Sequence, residues 1–202
     1  MKKSFSLASL LMLGLVSFAV SACADASSTG TVKLPAHVRA YATTDIGHGQ
    51  QCVAGIRADE DGLNQKPVVY LTKPGGGFAW HVQLPIPKDL YQGRATHCVA
   101  SAHALYVLVQ IDTYSQQSLN QTLLKVVQLN PQNGAVVAAK NVDVPNASDT
   151  YTAWVGKGDE HFRLADDKLV ITGRFDLMAD RDNPTGKGPS DFTAEIPVPL
   201  HP

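Results

Sequence analysis

The stretch VVYLTKPGGGFAWHVQLP, residues 68–85, decides the fold class. Val68 to Thr72 join β-branched, aromatic and aliphatic side chains in a run too short for a helix of ordinary length. Pro74-Gly75-Gly76-Gly77 then supplies a residue with a preset backbone angle and three that adopt positive φ without steric cost. Phe78 to Gln83 alternates large and small or polar residues, the period of a half-buried strand. The stretch is therefore a strand, a tight turn and a returning strand. The triple glycine also invites a phosphate-cradling reading, but no Lys-Ser/Thr pair follows it and no helix pattern opens there.

The same grammar extends outward. KPVVYLTK (66–73), FAWHVQLP (78–85), ALYVLVQID (104–112), TLLKVVQLN (122–130), AVVAAKNVDV (135–144) and KLVITGRFDL (168–177) read as strands. Asn130-Pro131-Gln132-Asn133-Gly134 and Asp166-Asp167 read as turns. Asp59-Glu60-Asp61-Gly62 also reads as a turn between strands. PIPKDLYQGRAT (85–96), PNASDT (145–150) and ADRDNPTGKGPSD (179–191) read as connections, the last long enough for a binding loop. No stretch of a dozen residues carries a helical apolar stripe, and scattered prolines oppose long helices. The expectation is all-β: a propeller-like or sandwich-like stack of antiparallel hairpins.

The N-terminus has its own pattern. Lys2 and Lys3 precede a short apolar run ending near Val20, too brief to span a bilayer and flanked as a secretory signal is. Val20-Ser21-Ala22-Cys23 resembles the bacterial lipoprotein signal, in which an aliphatic residue and two small ones precede the cysteine that is acylated. The resemblance implies a signal peptide over 1–22 and a mature chain beginning at lipid-bearing Cys23. In a Gram-negative host, Ala24 implies sorting to the outer membrane. A competing reading takes Ala22-Cys23-Ala24 as a small-x-small site that releases a soluble periplasmic or secreted chain at Asp25. Residues 23–31 are small and polar and read as a disordered tether. Residues 32–202 read as a single domain.

With a net charge of −1 and acids interspersed with bases, the chain has no basic block for nucleic acid. Cys52 and Cys98 remain after Cys23. In an oxidising compartment they suggest a disulfide, with two buried thiols as the alternative. A zinc pair is disfavoured, because no second ligand stands at the usual spacing.

QCVAGI (51–56) and HCVASA (97–102) match at Cys-Val-Ala, and each leads into strands and a Pro/Gly turn. A third unit is placed from His161. The interval of about 45 residues is typical of propeller blades. Asn130-Pro131-Gln132-Asn133-Gly134, together with Gly76 and Trp80 at Gly-x-x-x-Trp spacing, resembles the repeats of quinoprotein-type β-propellers over roughly 51–145. The second unit departs from that pattern at Ala138, and the third lacks it. Three blades are fewer than the four to eight or so of a closed propeller.

Gly-x-Ser-x-Gly, Ser-x-x-Lys, His-Glu-x-x-His and Walker patterns are missing, so no catalytic residue and no cofactor is assigned. His81 reads as a half-exposed strand residue. His97 and His161 read as polar residues at the starts of their units. A metal site would require these three to converge from separate strands, and none is assigned. Asp176, Asp180, Asp182, Asn183 and Asp191 near Gly186 offer oxygens for calcium but depart from the EF-hand order.

The functional expectation is a lipid-anchored envelope protein. Its partners are the bilayer, through Cys23, and an unidentified envelope or incoming protein; nucleic acid is not among them. As a non-catalytic binding module it would serve as an immunity-type inhibitor of a periplasmic toxin or as an envelope scaffold. The alternatives are a periplasmic hydrolase or metal enzyme built from strand ends, and a small-ligand or carbohydrate binder using Trp80, Trp154, Tyr91 or Tyr151.

Overall fold

The structure, a computed structural model, describes residues 33–113, 120–181 and 187–201. The signal peptide and the tether expected over 1–31 lie outside them. Strands β1 (Val38–Gly47), β2 (Gln50–Arg57), β3 (Lys66–Thr72) and β4 (Phe78–Gln83) form one antiparallel sheet in chain order. A second sheet repeats the arrangement with β5 (Leu90–Ala100), β6 (Leu105–Thr113), β7 (Thr122–Leu129) and β8 (Val136–Asn141). The third contains β9 (Tyr151–Trp154), β10 (Phe162–Ala165), β11 (Lys168–Leu177) and β12 (Ser190–Pro197). There β11 is central, with β12 on one side and both β9 and β10 along the other. A one-turn helix, α1 (Met178–Arg181), and a short 3-10 turn at Asp159–His161 complete the described elements. The protein is all-β, as its hairpin pattern predicts.

The turns follow their residues. Gly75, Gly76 and Gly77 all have positive φ, and the Lys73 N–H donates to the Gly77 carbonyl at 3.0 Å. Asp166 and Asp167, at φ 48° and 58°, close the β10–β11 hairpin as a two-residue turn, a conformation that Asp adopts more readily than most residues. The Gly62 N–H donates to the Asp59 carbonyl at 3.0 Å, making the acidic 59–62 segment a turn between β2 and β3.

The sheets stack face to face in an open row, with the second in the middle. Alternation along β6 sends Val107, Val109 and Ile111 toward Cys52, Ala54, Val69 and Leu71 of the first sheet. It sends Tyr106 and Leu108 the other way, toward Leu169, Ile171, Phe192 and Ala194 of the third. Residues 105–111 are consequently all buried, so the strand reads as a continuous run where β4 alternates. Each such aliphatic side chain contributes about 1.5–3 kcal/mol on leaving water.

Specific links hold the layers in register. Cys52 on β2 is disulfide-bonded to Cys98 on β5 across the first interface, with Cα atoms 6.3 Å apart. Beside it the Trp80 indole N–H donates to the Pro131 carbonyl at 2.9 Å, and its ring lies against Gly134 in the β7–β8 turn. Across the second interface the buried Gln128 side chain accepts from the Leu200 N–H at 2.8 Å.

Three readings change. Residues 90–96, expected as connection, are the first half of β5. The Cys-Val-Ala matches fall on non-equivalent strands, β2 and β5, which face each other. The β3–β4 and β7–β8 hairpins are the equivalent pieces, each closing its sheet. The third sheet begins at Tyr151 rather than His161.

Candidate functional site

A cavity of about 250 Å³ opens where β1, β5, β6 and the segment after β9 converge. Two irregularities in the strands build it. In β5 the pairing runs Ala95↔Val109 and then His97↔Leu108, leaving Thr96 as an extra residue. Arg94 and His97 are three apart, which in a regular strand would place them on opposite faces. The bulge restores them to one face, toward the third sheet, while Ala95 and Cys98 both pack into the first interface. In β1 the pairing skips Tyr41 in the same way, between Ala40↔Gly55 and Ala42↔Ala54. A Cβ at Gly55 would collide with the Arg39 carbonyl oxygen, so only glycine fits opposite that bulge. Both bulge residues, Tyr41 and Thr96, line the cavity.

The polar floor is closely bonded. Gln110, opposite Arg94, donates to the Val155 carbonyl at 3.1 Å and accepts from the Val155 N–H at 3.4 Å. It thereby gives the chain leaving β9 both hydrogen bonds that a strand neighbour would supply. Gln110 also donates to the Thr96 hydroxyl at 3.2 Å. Arg94 is held by Asp112 at 2.9 and 3.3 Å, and Asp112 is fixed in turn by Gln92 at 3.0 Å and Thr122 at 2.8 Å. With its carboxylate shared four ways, Asp112 orients the guanidinium and leaves it further N–H donors. Trp154, Gly156 and Lys157 close the rim.

His97 is 3% exposed, which corrects the expectation of a polar edge residue. Its Nδ1 lies 3.0 Å from the Thr96 hydroxyl, and its ring packs against Phe162 with centroids 6.1 Å apart. Its Nε2 is buried with no hydrogen-bond partner among the described residues, while the backbone of Gly156 and Gly158 favours the protonated ring. Burial pushes the imidazole pKa below its ordinary 6.5, and the neighbouring charge of His161 adds to the effect. The charge of Asp159 and the two glycine backbones oppose it.

The three histidines do not converge. His161 is half-buried beside His97 and bonded to the Thr172 hydroxyl at 2.9 Å. His81 is on the outer face of the first sheet, stacked on Tyr70 at 5.3 Å. Among the described residues no group of three or more His, Cys, Asp or Glu is arranged to hold a metal ion. Of the aspartates considered for calcium, Asp182 lies outside the described residues together with Asn183 and Gly186. Asp180 and Asp191 line a cavity of about 290 Å³ that Lys187 also enters, and Asp191 is paired with Arg174 at 3.3 Å. Asp176 pairs with Thr152 in the strand ladder.

The four aromatic residues considered for ligand binding do not form one groove. Trp80 joins two sheets, Tyr151 packs edge-on to Phe175 at 6.5 Å, Tyr91 lies on β5, and Trp154 alone of the four lines the cavity beside Arg94 and His97. Sequence reasoning missed Tyr41, Arg94, Thr96, Gln110 and Lys157. One signal was available: Gln110 interrupts the apolar run ALYVLVQI, residues 104–111.

No model of a known family matches the chain, no curated protein matches it, and no solved structure matches it.

Proposed function

We propose that the protein is a cell-envelope lipoprotein, anchored at Cys23 in the outer membrane, that acts as a non-catalytic protein-binding module. The observation that carries this reading is the open edge of β8. Among the described residues that strand pairs only with β7, and Val136 and Val137 on it are 42% and 52% exposed. Natural sheets blunt their edges with charges, proline or covering segments, because unpaired backbone groups recruit other strands. The β12 edge has such protection in Asp191, Glu195 and Pro197. On β8 the charge comes only at Lys140, after the two valines.

An extended segment of a partner adds beside β8, taking backbone hydrogen bonds from the edge and covering the valines. Trp80 ties the β7–β8 turn at the start of that edge to the first sheet, which lowers the ordering entropy that binding there costs. The lipobox and the polar segment after it support placement at a membrane surface, where an immunity-type or scaffold role requires one complementary surface.

The test is photocrosslinking in the envelope of a Gram-negative host, with the reactive side chain at position 137 or at exposed position 163. A discrete protein adduct from 137 alone, lost when Val136→Lys is added, is expected. Equal labelling from both positions, or none from 137, contradicts edge binding.

A further inference from the structure

We propose that the cavity between β1, β5 and the segment after β9 is a binding site for a small organic anion, a carboxylate carried on a flat ring. The proposal is independent of the tether and of the β8 edge. Cations enter the cavity wall from two directions, Arg94 on β5 and Lys157 beyond β9, and among the described residues no carboxylate lines it. Lys157 is exposed and makes no hydrogen bond or ion pair with another described residue. Arg94 is anchored by Asp112 but keeps N–H donors to spare. Asp159 and Glu160 follow Lys157 in the chain but are not part of the lining, and Glu160 is turned to His161 at 3.7 Å.

The remaining wall suits a ring. Tyr41 and Trp154 supply aromatic surface, and Val155 supplies an apolar patch at the floor. At about 250 Å³ the space is smaller than the usual cavity for a drug-sized molecule, so it selects a compact ligand. The construction is also costly. Strand β5 gives up a ladder position at Thr96, β1 gives up one at Tyr41, and His97 is buried with an unpartnered Nε2. Bulges of this kind re-aim side chains beside functional sites.

The probes are benzoate and its neutral isostere benzamide, titrated into the purified parent protein for resonance shifts and into Trp80→Phe, where Trp154 is the sole tryptophan, for fluorescence. Fluorescence of Trp154 gives the affinity, and amide shifts in nuclear magnetic resonance locate the site. Saturable benzoate binding is expected, with shifts centred on His97, Gln110, Val155 and Gly156. Benzamide should bind about tenfold more weakly, and Lys157→Gln should weaken benzoate about fivefold while Lys140→Gln leaves it unchanged. Benzoate that fails to saturate below about 10 mM overturns the proposal. Equal affinity for the two probes, or shifts centred away from the cavity, overturns it as well.

Discussion

His97 shows how one buried side chain ties the stability of this fold to pH. Burial, reinforced by the charge of His161, holds its pKa below 6.5, so the imidazole is neutral in the folded protein. The unfolded chain binds a proton near 6.5 where the folded one refuses it. Stability therefore falls as pH drops below about 6.5, by up to about 1.4 kcal/mol per unit until the folded group also titrates. Above that range His97 contributes no slope. Urea unfolding followed from about pH 7.5 to about pH 5 should show the loss, and His97→Gln should flatten it; an unchanged slope in the variant would assign the effect to other groups. Gly134 makes a second prediction. It has φ 72°, and a Cβ there would stand 2.6 Å from the Trp80 ring. Gly134→Ala should cost about 2–4 kcal/mol from backbone strain and overpacking together, read as a lowered denaturant midpoint. A midpoint within error of the parent would remove Trp80 as the clasp between the first two sheets.

Among the strands, legibility in the sequence follows what each one faces. β6 and β7 lie between two apolar layers, so their hydrophobic runs announce them, whereas β11 meets an apolar layer on one face alone. The first half of β5 reads as connection because Gln92, Arg94 and Thr96 look like loop residues. They face Asp112, Gln110 and the cavity instead, where polar groups find partners without water. The site escaped for a related reason: a bulge carries no periodic signature, and both bulges sit where alternation would have been counted. Cysteine arithmetic succeeded, because two cysteines in one domain leave a single intramolecular pairing. The bridge closes a loop of about 45 residues, for which loop entropy gives about 4 kcal/mol. Replacing Cys52 and Cys98 together by serine should lower unfolding free energy by about 3–5 kcal/mol in a urea titration. A change under about 1 kcal/mol would mean that the first interface holds without its bridge.

Three sheets in a row need a middle layer that is apolar on both sides and outer layers that can face water. The third sheet meets this with cross-strand pairs on its outer face, Lys168 with Glu195 at 2.7 Å and Arg174 with Asp191 at 3.3 Å. Such a face does not suit a fourth apolar layer and resembles the polar outer face of a solenoid's capping repeat. On the first sheet Val53, Val68 and Tyr70 are covered instead by Leu34, Val38 and Phe78. Between the second and third layers Gln110 binds both backbone groups of Val155. Gln110→Leu should strand those two buried groups and cost about 2–4 kcal/mol in denaturant unfolding; no loss would show that the layers are held by apolar packing alone. Whether this stack works at a membrane surface rests on Cys23, and intact mass decides it most directly. The full-length chain, expressed in a Gram-negative host and extracted in detergent, should be cleaved before Cys23 and carry a diacylglyceryl group, whose chains anchor it. An unlipidated chain beginning at Asp25 would contradict the tethered binding module.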